Sequence, residues 1–581
     1  VQLNYRRLAR PAAAFLIALI LLGQGISAPF AKDAEPQSAQ WIADIVQHGH
    51  WLVPSDYYGF VNRKPPLYYW LSALAAAAVD RPVNEVRARA ISLVAGAALA
   101  TLVLEWSAAM LNVATGWLAF AFLIGSYAFA SRAITALTDM LMTLLLFATW
   151  CVVGRLLAER PRSRRSIAGA GVLLGLAILT KGPVTLALVM LAVAIECLLS
   201  RRNPRVIACS GWPWATLLIA VAIAATWYVP AAVAGRSSDL TGVFVSENLG
   251  HFMPAAMGGT GEAARPVYYI VLRLLSGVLP LSLLLPAVAW SFRSDGFSTE
   301  ARQPLASQLA LMLAVVLLFS AASAKRDDYV LPAIPPLAIV FAALFTSLRP
   351  NPAGGRSPAE VLRDSAATLI AVMVGLATLG ALMAPHTGIS TPGWASLQSS
   401  DASYTAIFVG GLVAQGWPFV IFELVVMTGA LATSAGLWRG HSLLAGGGLA
   451  AIALAGSILW NGVVRPCEIR TRSLVDFAAQ VRARAGDVPV YVAYFDPEFA
   501  WYYGRGVPPL PRAIARDGAP ADAPVYFVAR PRELARLSPA VRQSLRTVVR
   551  TQLLGGGGPP ALYEIPPGSV DLNAKPRAAT K

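Results

Sequence analysis

Runs of about 20 apolar residues, separated by short polar loops, recur along most of the chain, and each is about long enough to cross the hydrocarbon core of a bilayer. The first covers residues 11–30 and follows Arg6, Arg7 and Arg10. It exceeds the apolar region of a typical signal peptide, so it predicts an anchored span with a cytoplasmic N-terminus. Further runs at 88–110, 113–131, 134–157, 167–180, 183–200, 213–234, 267–291, 305–323, 330–348, 366–385, 416–438 and 442–463 bring the expected total to about thirteen crossings. A polar stretch, 31–66, follows the first span. Within it Ile42, Ile45 and Val46 at helical spacing predict a short amphipathic helix over 37–47, lying at the membrane surface. Beyond residue 463 the pattern becomes charged and punctuated by Pro and Gly, with strands expected at 488–495 and 524–528 and a helix at 539–547. The pattern predicts an all-α polytopic membrane domain over 1–463, a small α/β domain over 464–574, and a disordered tail at 575–581.

Composition sharpens this picture. Hydrophobic residues make up 56% of the chain and charged residues 13%, where soluble proteins carry about 25% charged residues. Both a soluble globular chain and a disordered one are excluded. The net charge of +16 suggests a polyanion partner, but the arginines cluster in short loops, as at 160–165 and 201–205. Alternating sides from a cytoplasmic N-terminus places those loops inside, as the positive-inside rule requires, and a nucleic-acid partner is not expected. An odd number of crossings leaves the tail, and with it the loops 31–66 and 236–266, outside.

Lysine is rare, with six against forty-one arginines. Apart from two in the tail, Lys32, Lys64, Lys181 and Lys325 all fall at the predicted outer face. That is opposite to what topology alone would favour, and a membrane-edge cation usually faces a cavity or a partner. Acids gather on the same face: Asp33, Glu35, Asp139, Glu247, Asp327 and Asp328. Asp139 lies several residues inside an apolar run, where an unpaired charge costs a few kcal/mol, so either a role at a site or an ion pair with Arg132 or Arg87 is expected. Together these groups describe an outward-facing cavity with cations for an anion such as a lipid phosphate, and carboxylates able to accept protons. The histidines His48, His50, His251, His386 and His441 include no His–His i,i+4 pair, which argues against a metal site built from histidines.

Several short motifs occur in a recognisable order: Asp33 and Glu35 after the first span, Lys-Pro-Pro-Leu-x-x-Trp at 64–70, Thr138-Asp139, Leu-Thr-Lys-Gly-Pro at 179–183, Glu-Asn-Leu at 247–249, and a charged loop leading into Tyr-x-Leu-Pro at 329–332. In these the chain resembles the bacterial aminoarabinose transferases and related protein-mannosyltransferase-like enzymes of the GT-C class, by motif over about residues 10–350. The resemblance implies a transferase of the periplasmic face of the inner membrane. It would use a polyprenyl-phosphate-linked sugar donor, invert the anomeric carbon, and serve a lipid acceptor such as lipid A of lipopolysaccharide, or a protein. A carboxylate would activate the acceptor while cations, with a divalent metal ion as one option and no cofactor certain, stabilise the leaving phosphate. Carried onto this sequence, Asp33, Glu35 and Asp139 are the catalytic candidates, with the base expected from the loop acids and Asp139 orienting the acceptor or pairing with a lysine. The candidates for substrate contact are Arg63, Lys64, Tyr69, Lys181, Glu247, Asn248, His251, Lys325, Arg326 and Tyr329. Three positions depart from the aminoarabinose pattern: Ala34 before Glu35, Arg63 before the Lys-Pro-Pro element, and His251 in place of an arginine. They point to a different donor or acceptor, or to lost activity. Two other readings stand beside the transferase, a transporter or flippase of lipid-linked sugars and a catalytically silent membrane scaffold.

Overall fold

The computed structural model describes residues 5–30, 34–62, 64–158, 162–234, 265–349, 355–383, 417–470, 473–486, 488–517, 519, 524–551 and 558–568. Among them seven helices are long and apolar enough to cross a membrane: Glu85–Met110, Asp139–Ala158, Trp212–Ala234, Thr299–Ala321, Asp327–Thr346, Val420–Trp438 and Ser442–Val464. Two bent pairs raise the number to nine when each counts as one span. They are Val113–Gly125 with Tyr127–Ala133, bent by 71°, and Tyr269–Gly277 with Leu281–Arg293, bent by 107°. The chain is an all-α polytopic membrane protein with a small α/β C-terminal region. A count of thirteen would need shorter or more charged helices as well: Val184–Leu199 has 16 residues, and Arg164–Lys181 carries three cations.

Local chemistry sets the helix boundaries. The side chains of Asn84 and Asn112 accept the N–H groups of Arg87 and Thr115, starting Glu85–Met110 and Val113–Gly125. Ser126 then takes an extended backbone, so the apolar run at 113–131 becomes two helices rather than one. Residues 134–138 form a turn, and Asp139 is the first residue of its helix, not a charge buried one or two turns inside it. An acid in a first turn faces the positive end of the helix dipole.

The helix expected near 37–47 exists as Ala34–His48, but it is enclosed by other helices rather than leaving an apolar face uncovered. Most of its residues through Ile45 are buried, because it packs against Leu67–Ala77, Glu85–Met110 and the C-terminal helix Pro497–Tyr503. In the membrane region Asp139–Ala158 packs on Arg164–Lys181, which packs in turn on Trp212–Ala234. Gly171 and Gly175 permit the second contact, since a Cβ on either would stand 2.7 Å from the Cβ of Ile219 or Ile223.

The C-terminal region holds a four-stranded sheet in the order β1-β2-β4-β3, with β1 Val490–Val492, β2 Val525–Ala529, β3 Arg546–Arg550 and β4 Ala561–Ile565. β1 and β2 are parallel, and the other pairs are antiparallel. The two expected strands are present, the first much shorter than its apolar run. The helix expected over 539–547 stops at Ser544 and gives way to β3. Tyr502 ties this region to the membrane domain: its hydroxyl accepts the Phe30 N–H at 2.7 Å and donates to Glu85 at 2.9 Å. The Gln40 side chain donates to the Pro497 carbonyl at 2.8 Å.

Candidate active site

Helix ends bring the central pair together. Gly182, with φ +89°, ends Arg164–Lys181 and leaves Lys181 in its last turn. Asp139 opens the neighbouring helix, and the Lys181 ammonium donates to its carboxylate. A cation at a helix C-terminus and an acid at a helix N-terminus are each favoured by the dipoles. Lys181 also lies 5.3 Å from the centre of the Tyr329 ring, which stacks on Phe319 at 4.5 Å. Asp139 therefore pairs with Lys181 and not with Arg132 or Arg87.

Arginines hold the two acids that precede Tyr329. Asp328 lies between Arg132 at 3.7 Å and Arg326 at 3.5 Å. Asp327 is held by Arg265, Arg273 and the Tyr269 hydroxyl. Beside them is a cavity of about 330 Å³, lined among others by Glu35, Arg132, Arg273, Asp327, Trp460 and Arg465. Guanidinium forks on such a wall suit phosphate or carboxylate groups.

Glu35 differs from its expected place on an exposed loop. It is fully buried, with Arg89 Nε 2.9 Å from Oε1, Arg465 3.9 Å from Oε2, and the Ala136 N–H donating to Oε1 at 2.9 Å. Burial pushes its carboxyl pKa up, but Arg89, Arg465 and the Ala136 N–H pull harder, so it lies below the usual carboxylate range. Arg89 also donates to the carbonyls of Ile26, Ala28 and Pro29, locking the turn after the first helix. Glu35 is thus an ionised anchor for Arg89.

The other candidates divide. Lys325 is buried and donates to the carbonyls of Arg265 and Ala322. Tyr69 is buried with its ring edge-on to Trp41 and Tyr68. Lys64 follows Asn62, whose side chain accepts the Lys64 N–H at 2.9 Å. Asp33, Arg63, Glu247, Asn248 and His251 lie outside the described residues. Sequence reasoning passed over Arg89, Arg273 and Arg465, whose only local signal was a charge inside or beside an apolar run.

Asp139, Asp327 and Asp328 are each engaged by cations, a poor donor set for a metal. Among the described residues only Asp44, His48 and His50 group three donors, with one ligand atom from each within 4.8 Å of the others. The absence of a His–His pair therefore did not exclude such a cluster, because Asp44 supplies the i,i+4 partner of His48.

A profile of the dolichyl-phosphate-mannose-protein mannosyltransferase family matches residues 63–229, the segment that carries Lys64, Asp139 and Lys181. Undecaprenyl phosphate-alpha-4-amino-4-deoxy-L-arabinose arabinosyl transferases align as well. The one from Shewanella sediminis is 26% identical over 62% of this chain and 64% of its own length. Those from Pectobacterium atrosepticum and Pectobacterium carotovorum are 27% and 28% identical over 54% of this chain and 55% of theirs. The chain thus spans less than two thirds of the length of these relatives. The crystal structure of ArnT from Cupriavidus metallidurans bound to undecaprenyl phosphate superposes with a TM-score of 0.70, at 16% identity, over 98% of this chain and 99% of that one. By fold along nearly its whole length this chain is similar to ArnT, and by sequence over the segment that builds the central pair it resembles the aminoarabinose transferases and the dolichyl-phosphate-mannose-protein mannosyltransferase family.

Proposed function

We propose that the chain is an inverting glycosyltransferase that moves a sugar from a polyprenyl phosphate to a lipid or protein acceptor at the periplasmic face of the inner membrane. The observation that carries this reading is the Asp139–Lys181 pair, set at two helix ends beside Tyr329, next in sequence to the acids Asp327 and Asp328 whose arginine partners Arg132 and Arg273 line a cavity. A lone ion pair at a membrane edge is unremarkable, but a pair with phosphate-binding groups around it is an exchangeable one. When the donor's phosphate reaches Lys181, with Lys64 and Arg326 proposed as its further cation contacts, the ammonium trades one anion for another and the Asp139 carboxylate is released. The acceptor oxygen then attacks the anomeric carbon from the face opposite the phosphate. Its proton passes to Asp139, and the carbon–oxygen bond to phosphate breaks, with the electron pair leaving on the polyprenyl phosphate. Glu35, held charged between arginines, is a weak base, and its part is to fix Arg89 and the entry loop. Lys325, which donates to the carbonyls of Arg265 and Ala322, and Tyr69, packed against Trp41 and Tyr68, are proposed to act through the packing of these segments. Asp33, Arg63, Glu247, Asn248 and His251 are proposed to contact the sugar and acceptor, and the departures of Arg63 and His251 from the relatives' pattern fit a sugar or acceptor of different shape.

The finer topology belongs to the same proposal. About thirteen crossings, made by adding the shorter apolar helices, leave the outer loops and the region from 464 to 574 in the periplasm. Mass spectrometry of lipid A, total lipids and membrane and periplasmic glycoproteins tests the function, comparing a deletion strain with strains restored by the wild-type chain or by Asp139→Asn. A glycosylated species that the wild type restores and the variant does not is expected. Identical lipid and protein glycosylation in all three strains would overturn the proposal.

A further inference from the structure

A second polar cluster stands where the helix Ala34–His48 ends. Asp44 and His48 are one turn apart on one face, and Gly49, with φ +71°, reverses the chain so that His50 returns to the same carboxylate. His48 Nδ1 lies 2.9 Å from Asp44 Oδ1, and His50 Nδ1 lies 2.9 Å from Oδ2. Asp44 is buried and further fixed by the Ser55 N–H, which donates to Oδ2 at 2.8 Å. Both imidazoles are more than half exposed, so they can turn while the carboxylate stays in place.

Two imidazole nitrogens and one carboxylate oxygen suit zinc and its neighbours, whereas magnesium and calcium prefer all-oxygen sets. Bond lengths near 2 Å put tetrahedral ligands roughly 3.3 Å apart. The three donor atoms already lie within 4.8 Å of one another, and small rotations of two exposed rings close the set, leaving a fourth position for water.

We propose that Asp44, His48 and His50 bind one divalent transition metal of the zinc type, and that this metal clamps the loop 49–62 that leads to Lys64. The loop has other anchors. The Trp51 carbonyl accepts the Trp70 indole N–H at 2.6 Å, the Leu52 carbonyl accepts that of Trp227 at 3.0 Å, and the Asn62 N–H donates to Pro54 at 2.7 Å. The start of the loop, at His50, is held to the helix end by the His50–Asp44 contact, and a metal there would replace a proton shared with a carboxylate by coordination bonds. The ion is a structural clamp and takes no part in the transfer step. This inference does not depend on the transferase reading.

The test uses the full chain in detergent, stripped with EDTA and titrated with Co²⁺ as a visible probe, then with Zn²⁺ as competitor. One Co²⁺ per chain, displaced by one Zn²⁺, is expected. His48→Ala and His50→Ala should each weaken binding at least tenfold, and His441→Ala, an exposed histidine elsewhere, should not. Hydrogen exchange in residues 49–62 should slow on adding Zn²⁺ to the wild type and not to the His48→Ala/His50→Ala double variant. No stoichiometric binding by the wild type, or equal binding by the double variant, would overturn the site. Binding without slower exchange would overturn the clamp.

Discussion

Replacing Glu35 by glutamine leaves Arg89 buried without a counter-charge. Arg89 is 1% exposed and Glu35 fully buried, with contacts at 2.9 and 3.3 Å between them and Arg465 at 3.9 Å. Removing one partner of a buried ion pair costs about 3–5 kcal/mol. Glutamine keeps one oxygen for the Ala136 N–H but turns an amide donor toward a guanidinium, so a loss of at least about 3 kcal/mol is expected. The assay is denaturant unfolding of purified protein in a fixed detergent, with transfer activity measured per folded molecule. Glu35→Gln should unfold at a clearly lower midpoint while its folded fraction loses less than about tenfold in rate, far below what removing a general base causes. A variant that unfolds with the wild type but loses 100-fold or more in rate would refute the reasoning and make Glu35 the base.

The same carboxylate sets an acid limit. Its pKa is depressed in the fold, so its stabilisation is fully present above the ordinary carboxylate value of about 4.3 and is lost as pH falls through the lower folded value. Unfolding midpoints of the wild type should therefore drop below about pH 4, and those of Glu35→Gln should drop less. Tyr502→Phe removes one hydroxyl that serves both Phe30 and Glu85, which should cost about 1–2 kcal/mol and speed proteolytic release of the C-terminal region. Gly175→Val places methyl groups against Ile223 and the Ala220 carbonyl. This overpacking should cost about 1–3 kcal/mol, shift the helix carrying Lys181, and weaken undecaprenyl phosphate binding in a direct titration.

Hydropathy identified the membrane architecture because lipid-exposed helices are apolar over a full span, as in Trp212–Ala234. It read through the bends because Ser126 and Pro280 interrupt the backbone without interrupting the apolar run. Asp139 and Lys181 were visible as charges out of place, and the structure explains their tolerance by helix ends that a run of apolar letters does not mark. Glu35 read as a surface acid because its partner Arg89 is 54 positions away and Arg465 lies beyond the last span. Such pairings depend on tertiary packing and leave no periodic trace. The link between Asp44 and His48, by contrast, is local, one helical turn, and was present in the sequence.

The central claim is that Asp139 and Lys181 form the reacting pair, and reconstituted protein tests it most directly. Proteoliposomes loaded with undecaprenyl phosphate-linked 4-amino-4-deoxy-L-arabinose and lipid A, or with total lipid extract of the native strain as donor and acceptor source, would be followed for release of free undecaprenyl phosphate. The account predicts that Asp139→Asn, which frees the Lys181 ammonium from its competing carboxylate, binds undecaprenyl phosphate at least as tightly as the wild type but releases it from the donor about 100- to 10,000-fold more slowly, and that Lys181→Ala loses binding as well. Release at the wild-type rate by Asp139→Asn, with binding unchanged in Lys181→Ala, would contradict it.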